Sequence, residues 1–205
     1  MSLFARFSDR DLFPSFDELP SAASLGAAAP TETKQDGDGD ASAGTERRWF
    51  LVAQIAENMT ITKPTLILRD RDSSSFALAF EEKGVVLKGW RKEYTLIAER
   101  VRRTEGKEGK RGFVRVEEGE EVGVRCIPGP MDRVIRLGAG MKGDKVECRS
   151  CGGEGTRKCT GCGWVRYCGK ECQVKGWSEG GHKGECKVYK ALKEFDEAYP
   201  TGDDE

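Results

Sequence analysis

Short runs of hydrophobic residues, separated by polar turn-forming residues, fill the middle of the chain. Each run is rich in β-branched or aromatic residues, which favour strands, and Gly, Asp and Ser between the runs favour turns. The runs are residues 49–58, 65–70, 75–80, 94–101, 112–118 and 121–127. Six such runs in about 80 residues predict a small antiparallel β-barrel or sandwich over residues 46–138.

The order of these runs resembles an OB-type barrel in layout. A strand pair is followed by a connecting stretch at residues 84–90 and then by further strands separated by a turn of Gly and Lys. After Pro128 and Pro130, residues 131–137 predict a short helix, because proline is favoured near a helix start. Glycines beyond this helix indicate a hinge into the next region.

The first 45 residues have a different composition. They hold three basic and eight acidic residues, and residues 21–44 are mostly Ala, Ser, Gly, Asp and Thr. We expect an acidic, disordered tail over residues 1–45, since it offers little apolar surface to offset chain entropy. Its apolar residues fit either a docking motif for another protein or loose side chains of the tail. They are Phe4, Phe7, Phe13, Phe16 and Leu19.

Composition indicates the compartment. Hydrophobic residues make up 37% of the chain, charged residues 34%, and the mean hydropathy is -0.59. The chain shows no apolar run of the length that a signal peptide or a membrane helix needs. We therefore expect an intracellular protein, cytoplasmic or nuclear or both, in a reducing environment where structural disulfides are rare.

Seven of the eight cysteines and the only histidine lie within 39 residues. In order they are Cys148, Cys151, Cys159, Cys162, Cys168, Cys172, His182 and Cys186. Zn²⁺ favours four thiolate or imidazole ligands, and a CxxC turn brings two sulfurs to one ion. Eight ligands predict two closed structural sites and two zinc ions per chain. Cys126 lies outside this set, in a strand run, and is interpreted as a small apolar core residue.

Two other uses of these cysteines are possible. A disulfide framework conflicts with the odd number of seven and with the expected reducing compartment. A redox CxxC motif fits either pair alone, but it leaves the CxxxC and HxxxC spacings without a role. Zinc binding accounts for all eight residues.

The spacing also carries a family resemblance. Together with residues 166–173, Trp177 and residues 182–186, it resembles a MYND-type zinc finger from Cys148 to Cys186. The nine residues between Cys172 and His182 exceed the usual spacing by about two, so the loop geometry there departs from the family. The resemblance implies a cross-braced pairing of the ligands. One ion would take Cys148, Cys151, Cys168 and Cys172, and the other Cys159, Cys162, His182 and Cys186.

MYND-like modules bind other proteins and accept proline-rich peptides, so the resemblance implies an adaptor. It assigns the peptide groove to Thr160, Gln173 and Trp177. An exposed Trp beside an amide and a hydroxyl suits an extended proline-rich segment. Trp177 fits almost as well as a residue of the finger core that covers a zinc site.

Single-stranded nucleic-acid binding is the alternative function. Residues 47–137 carry nineteen basic and fourteen acidic side chains, and the basic ones concentrate in the loop 100–111. An OB-type barrel would bind single strands through this loop and aromatic stacking. The scattered Trp90, Tyr94 and Phe113 are better explained as core residues.

Catalysis is not expected. The only histidine is assigned to zinc, and the sequence has no GxxxxGK[ST] phosphate loop. MYND fingers also occur in SET-domain methyltransferases, but the cofactor-binding and catalytic segments of those enzymes have no counterpart in this sequence.

The predicted fold class is α+β. A disordered acidic tail (1–45) precedes a small all-β domain of OB-like layout (46–138), a MYND-type zinc finger (145–190) and an amphipathic C-terminal helix (184–200). The helix places one apolar face against the finger or the barrel. That face comprises Val188, Leu192, Phe195 and Tyr199, with Ala191 beside them.

Overall fold

The computed structural model describes residues 2–23, 48–82, 84–107, 109–141, 143 and 146–200. The strands are β1 (Phe50–Asn58), β2 (Thr65–Asp70), β3 (Ser75–Phe80), β4 (Thr95–Glu99), β5 (Arg103–Thr104), β6 (Phe113–Val116), β7 (Val124–Ile127), β8 (Arg157–Lys158) and β9 (Arg166–Tyr167). The α-helices are α1 (Met131–Ala139), α2 (Lys170–Ser178) and α3 (His182–Ala198), and short 3₁₀ helices cover Leu3–Arg6, Phe16–Glu18 and Glu120–Gly123. In these residues, none of the helices is long and apolar enough to cross a membrane.

The large sheet has the strand order β5-β6-β3-β2-β1-β4-β7. Each of the six runs predicted as strands contains one strand of this sheet, and the two-residue strands β5, β8 and β9 were not predicted. The predicted closed, OB-like barrel is not confirmed. Strand β6 joins the β3 side while β7 joins the β4 side, so these strands extend opposite edges instead of closing the sheet. The sheet is also mixed rather than purely antiparallel, since β3 and β6 run parallel.

The N-terminal segment is part of the folded structure. Phe4, Phe13 and Phe16 are each 1% exposed, and Leu19 is 4% exposed. The prediction of disorder for residues 1–45 is therefore wrong for residues 2–23, and residues 24–47 lie outside the described residues. The average composition of the tail concealed these side chains, each of which contributes about 1.5–3 kcal/mol when buried.

Polar contacts hold this segment against the turn after β2. The Arg71 guanidinium donates hydrogen bonds to the backbone carbonyls of Phe7 (2.8 Å) and Phe13 (2.9 Å). It also lies 4.4 Å from the centre of the Phe7 ring. The buried carboxylate of Asp70 accepts a hydrogen bond of 2.7 Å from the backbone N–H of Phe16. These contacts satisfy backbone groups that would otherwise be buried without partners.

Strand β1 lies between two hydrophobic clusters. Phe50 and Val52 belong to one cluster, and Leu51 and Ala53 belong to the other, as expected from side chains that alternate along a strand. Burial on both faces explains why the run reads as continuously hydrophobic.

One of these clusters joins the sheet to the cysteine-rich region. In it, the Phe195 ring of α3 lies 5.4 Å from the Phe50 ring of β1, and the Tyr199 ring lies 5.0 Å from Phe50. The same cluster includes Cys186 and Tyr189 of α3. The predicted C-terminal helix thus starts at His182, inside the cysteine-rich region, and packs on both the sheet and that region.

Candidate metal centre

Two glycine-terminated turns present the CxxC pairs. In the first, the backbone N–H of Gly152 donates to the carbonyl of Cys148 (2.9 Å); in the second, the N–H of Gly163 donates to the carbonyl of Cys159 (2.8 Å). Gly152 and Gly163 have positive φ angles of 76° and 66°, which glycine adopts without steric cost. The repeated CxxCG pattern therefore builds the same turn twice.

Two helices deliver the other four ligand candidates. Cys168 lies just before α2 and Cys172 in its first turn, while His182 and Cys186 lie four residues apart at the start of α3. Side chains at this spacing lie on the same helix face, so each helix start offers a pair. Strands β8 and β9 pair antiparallel and connect the two halves of the region.

The structure brings the eight side chains together in two groups of four. The four-cysteine group contains Cys148, Cys151, Cys168 and Cys172, and the histidine-containing group contains Cys159, Cys162, His182 and Cys186. Within each group the candidate ligand atoms all lie within 4.8 Å of one another. These are the two sets that the family resemblance implied, with ligands crossed between the first and second halves of the region.

The spacing of the ligand atoms fits Zn²⁺. Tetrahedral zinc with Zn–S bonds of about 2.3 Å separates its sulfurs by roughly 3.8 Å. The Sγ atoms of Cys151 and Cys168 are 3.8 Å apart, and those of Cys159 and Cys186 are 3.9 Å apart. In the histidine-containing group, His182 Nε2 lies 3.7 Å from Cys162 Sγ and 3.3 Å from Cys159 Sγ. Both groups could hold one zinc ion each, with only protein ligands around it.

The two groups differ in burial. All four residues of the histidine-containing group are buried, whereas Cys151 and Cys168 of the four-cysteine group are exposed. Because solvent and chelators reach exposed sulfurs first, we expect the four-cysteine group to exchange metal more readily.

Electrostatics in the four-cysteine group favour a bound cation. Burial raises the pKa of Cys148, but backbone N–H groups, including that of Cys151, outweigh it and lower the pKa to about 6. In the same group, hydrogen bonding to Cys168, followed by burial, raises the pKa of Cys172 to about 12. Four crowded thiols therefore cannot all ionise by themselves, and a divalent ion would supply the missing positive charge.

Burial also sets the state of the single histidine. Burial, with the Arg149 charge as a second cause, lowers the pKa of His182 to about 4. The imidazole is therefore neutral near pH 7, which is the form that binds metal. Its Nδ1 is buried without a hydrogen-bond partner in the described residues, while Nε2 faces the sulfurs of its group.

Of the three residues predicted to bind a peptide, only Trp177 lines a groove of about 890 Å³. Trp177 lines this groove and is 40% exposed, although its ring also lies 5.8 Å from that of His182. Thr160 is exposed beside Gly161, which lines the groove. Gln173 is half-buried one helical turn before Trp177 and does not line it. Trp177 thus packs against the histidine-containing group on one side and lines the groove on the other.

Sequence reasoning missed the other lining residues. They are Cys126, Pro128, Gly161, Lys183, Cys186 (considered only as a ligand), Lys187, Lys190, Ala191 and Glu194. Pro128 follows β7, far from the finger in sequence, and carries no local signal of this role.

Comparison with known proteins agrees with this geometry. The two ligand groups are those of a zinc finger, and residues 148–186 match the MYND finger family. The chain therefore contains a MYND finger, which indicates zinc-dependent protein–protein interaction. A stretch of 51 residues is 43% identical to ubiquitin carboxyl-terminal hydrolase 19 of Arabidopsis thaliana. That stretch is 25% of this chain and only 7% of the relative.

Proposed function

We propose that this protein is a zinc-dependent adaptor that binds proline-rich peptides of partner proteins through its MYND finger. The observation that carries the proposal is Trp177, a large aromatic side chain that is 40% exposed at the edge of a groove. Large exposed aromatic side chains at grooves are typical of binding sites.

The chemistry of the groove suits a proline-rich ligand. Such segments adopt the extended polyproline II conformation before binding, so they lose little entropy when they bind. A Trp ring packs well on proline rings. The Trp177 ring packs edge-on against the His182 ring, and zinc in the histidine-containing group would hold His182 in place. We therefore expect peptide binding to require metal.

A binding assay tests this proposal. Fluorescence polarisation of a labelled proline-rich peptide is measured with the wild-type chain, Trp177→Ala and Val174→Ala. Val174 is the matched control, since it is 58% exposed on the same helix but does not line the groove. We expect Trp177→Ala to weaken binding by roughly tenfold or more and Val174→Ala to leave it unchanged.

Zinc content, measured by native mass spectrometry, separates binding from folding in this assay. If Trp177→Ala keeps two zinc ions and binds every peptide as the wild type does, Trp177 only covers the metal group and the proposed groove is wrong.

From the similarity to the hydrolase we infer only a role for the finger, and we do not assign the hydrolase activity to this chain. The similar stretch is too small a part of that protein to carry its activity, and we propose a non-catalytic protein. We also propose an intracellular setting, cytoplasmic or nuclear, because seven ligand thiols need a reducing compartment to stay free of disulfides.

Nucleic-acid binding is the less favoured function, because arginines of the loop 100–111 are held by neighbouring residues. Arg102 lies 5.5 Å from the centre of the Trp49 ring. Arg103 donates to Glu105 (2.9 Å) and to the backbone carbonyl of Asp17 (3.0 Å). The Glu105 carboxylate offsets the charge of Arg103, and the other contacts restrict both side chains. If the chain bound single-stranded DNA or RNA with an affinity that falls steeply as salt concentration rises, nucleic-acid binding would become the favoured function.

A further inference from the structure

The groove beside Trp177 has two walls from distant parts of the chain. One wall belongs to the finger and α3, and the other is formed by Cys126 of the edge strand β7 and by Pro128 just after it. The sheet is thus a structural part of the groove. A peptide lying there contacts both the finger and the sheet.

The α3 wall is basic. Lys183, Lys187 and Lys190 line it, with Glu194 as the acidic lining residue at its far end. The Nζ atom of Lys190 lies 3.9 Å from Oε1 of Glu194, so this carboxylate offsets the charge of Lys190. Within the described part of the chain, Lys183 and Lys187 make no ion pair. Two cations without an ion pair therefore face a groove that is otherwise apolar or aromatic, apart from Cys186 and the Lys190–Glu194 pair.

The spacing of the lysines sets a length for the ligand. Positions 183, 187 and 190 follow the i, i+4, i+7 spacing of one helix face, and the first and last are separated by about 10 Å along the axis. A polyproline II segment rises by about 3.1 Å per residue, so about three peptide residues span the three lysines. Trp177 lies beside His182, at the Lys183 end of this row.

From this arrangement we infer that the groove selects proline-rich segments in which acidic residues lie two to four positions from the proline that packs on Trp177. This inference rests on the proposed function and specifies its ligand. Lys183 and Lys187 recognise the acidic residues, while Trp177 and the Pro128 wall recognise the apolar part.

Three labelled peptides test the inference on the wild-type chain. They share one proline-rich core and differ at two flanking positions, which carry Glu, Gln or Lys. We expect the Glu peptide to bind about three- to tenfold more tightly than the Gln peptide, and the Lys peptide to bind most weakly. The preference should shrink as ionic strength rises from about 0.05 M to 0.5 M.

A charge reversal provides the second test. The double variant Lys183→Glu and Lys187→Glu should prefer the Lys peptide. The control carries Lys170→Glu and Lys175→Glu on α2, which change the net charge equally but do not line the groove. The control should keep the wild-type preference. Native mass spectrometry checks that both variants keep two zinc ions. If the charge-reversed variant loses metal, the affinities of the three peptides for the wild-type chain decide whether the groove prefers acidic residues.

The outcomes distinguish this inference from the proposed function. Equal affinity for the three peptides overturns acidic selectivity and leaves the adaptor function standing. If none of the peptides binds to the zinc-loaded wild-type chain, the proposed function itself is wrong.

Discussion

The burial of Phe4 makes a strong prediction, because the sequence pattern placed this residue in a disordered tail. The Phe4 ring is 1% exposed and lies 5.8 Å from the Phe13 ring and 5.7 Å from the Phe195 ring. Replacing a buried Phe by Ala removes these contacts and leaves a cavity, at a cost of about 3–5 kcal/mol. Phe4→Ala should therefore destabilise the whole fold.

Urea unfolding followed by tryptophan fluorescence measures this loss. With an m-value of about 2 kcal/mol per M, the expected loss lowers the urea midpoint by roughly 1.5–2.5 M. Ser8→Ala is the control, because Ser8 is exposed, and it should change the free energy of unfolding by less than about 0.5 kcal/mol. A Phe4→Ala midpoint equal to that of the control would show that the segment is a loose tail and would refute the reasoning.

Gly138 supplies an internal check on the same packing. A Cβ atom on Gly138 of α1 would lie 2.8 Å from three atoms of Phe4, namely Cβ, Cγ and Cδ2. Gly138→Ala should therefore cost about 1–3 kcal/mol despite the higher helix propensity of Ala. In the Phe4→Ala background this cost should fall, since two of the three close atoms are gone. Equal costs in both backgrounds would argue against the contact.

Three further predictions concern other parts of the fold. Arg71→Ala should lower the free energy of unfolding by about 1.5–3 kcal/mol, because it removes two charged hydrogen bonds to the N-terminal segment; an unchanged urea midpoint would contradict this. Burial raises the pKa of Asp196 above its usual 3.8, so its charge destabilises the fold increasingly as pH rises above that value. Asp196→Asn should therefore stabilise the protein at pH 7 and do so less in acid, as urea midpoints at several pH values would show. A chelator should remove zinc in two steps, first from the exposed four-cysteine group and then, with loss of α3 helicity, from the histidine-containing group. Absorbance of a metal indicator measures the release, and circular dichroism measures the helicity. Release of both ions in a single step would contradict this order.

The sequence by itself determined the longer strands of the sheet, the helices α1 and α3, and the ligand candidates. Strand runs such as residues 65–70 and 75–80 carry their structure locally, through β-branched and aromatic residues between turns. The cysteine spacing identified the eight ligand candidates, because zinc coordination requires particular residue types at short separations. The CxxCG turns are likewise local, since each is closed by a glycine next to its second cysteine.

Only the tertiary structure decided how these parts combine. The open sheet depends on which edges β6 and β7 join, and no short-range pattern encodes that choice. Phe4 and Phe13 became core residues because α1, α3 and β1 meet around them. The groove pairs Pro128 with lysines of α3 that lie more than fifty positions away along the chain. Such contacts arise from packing between distant segments, and a sequence pattern reports only on neighbours.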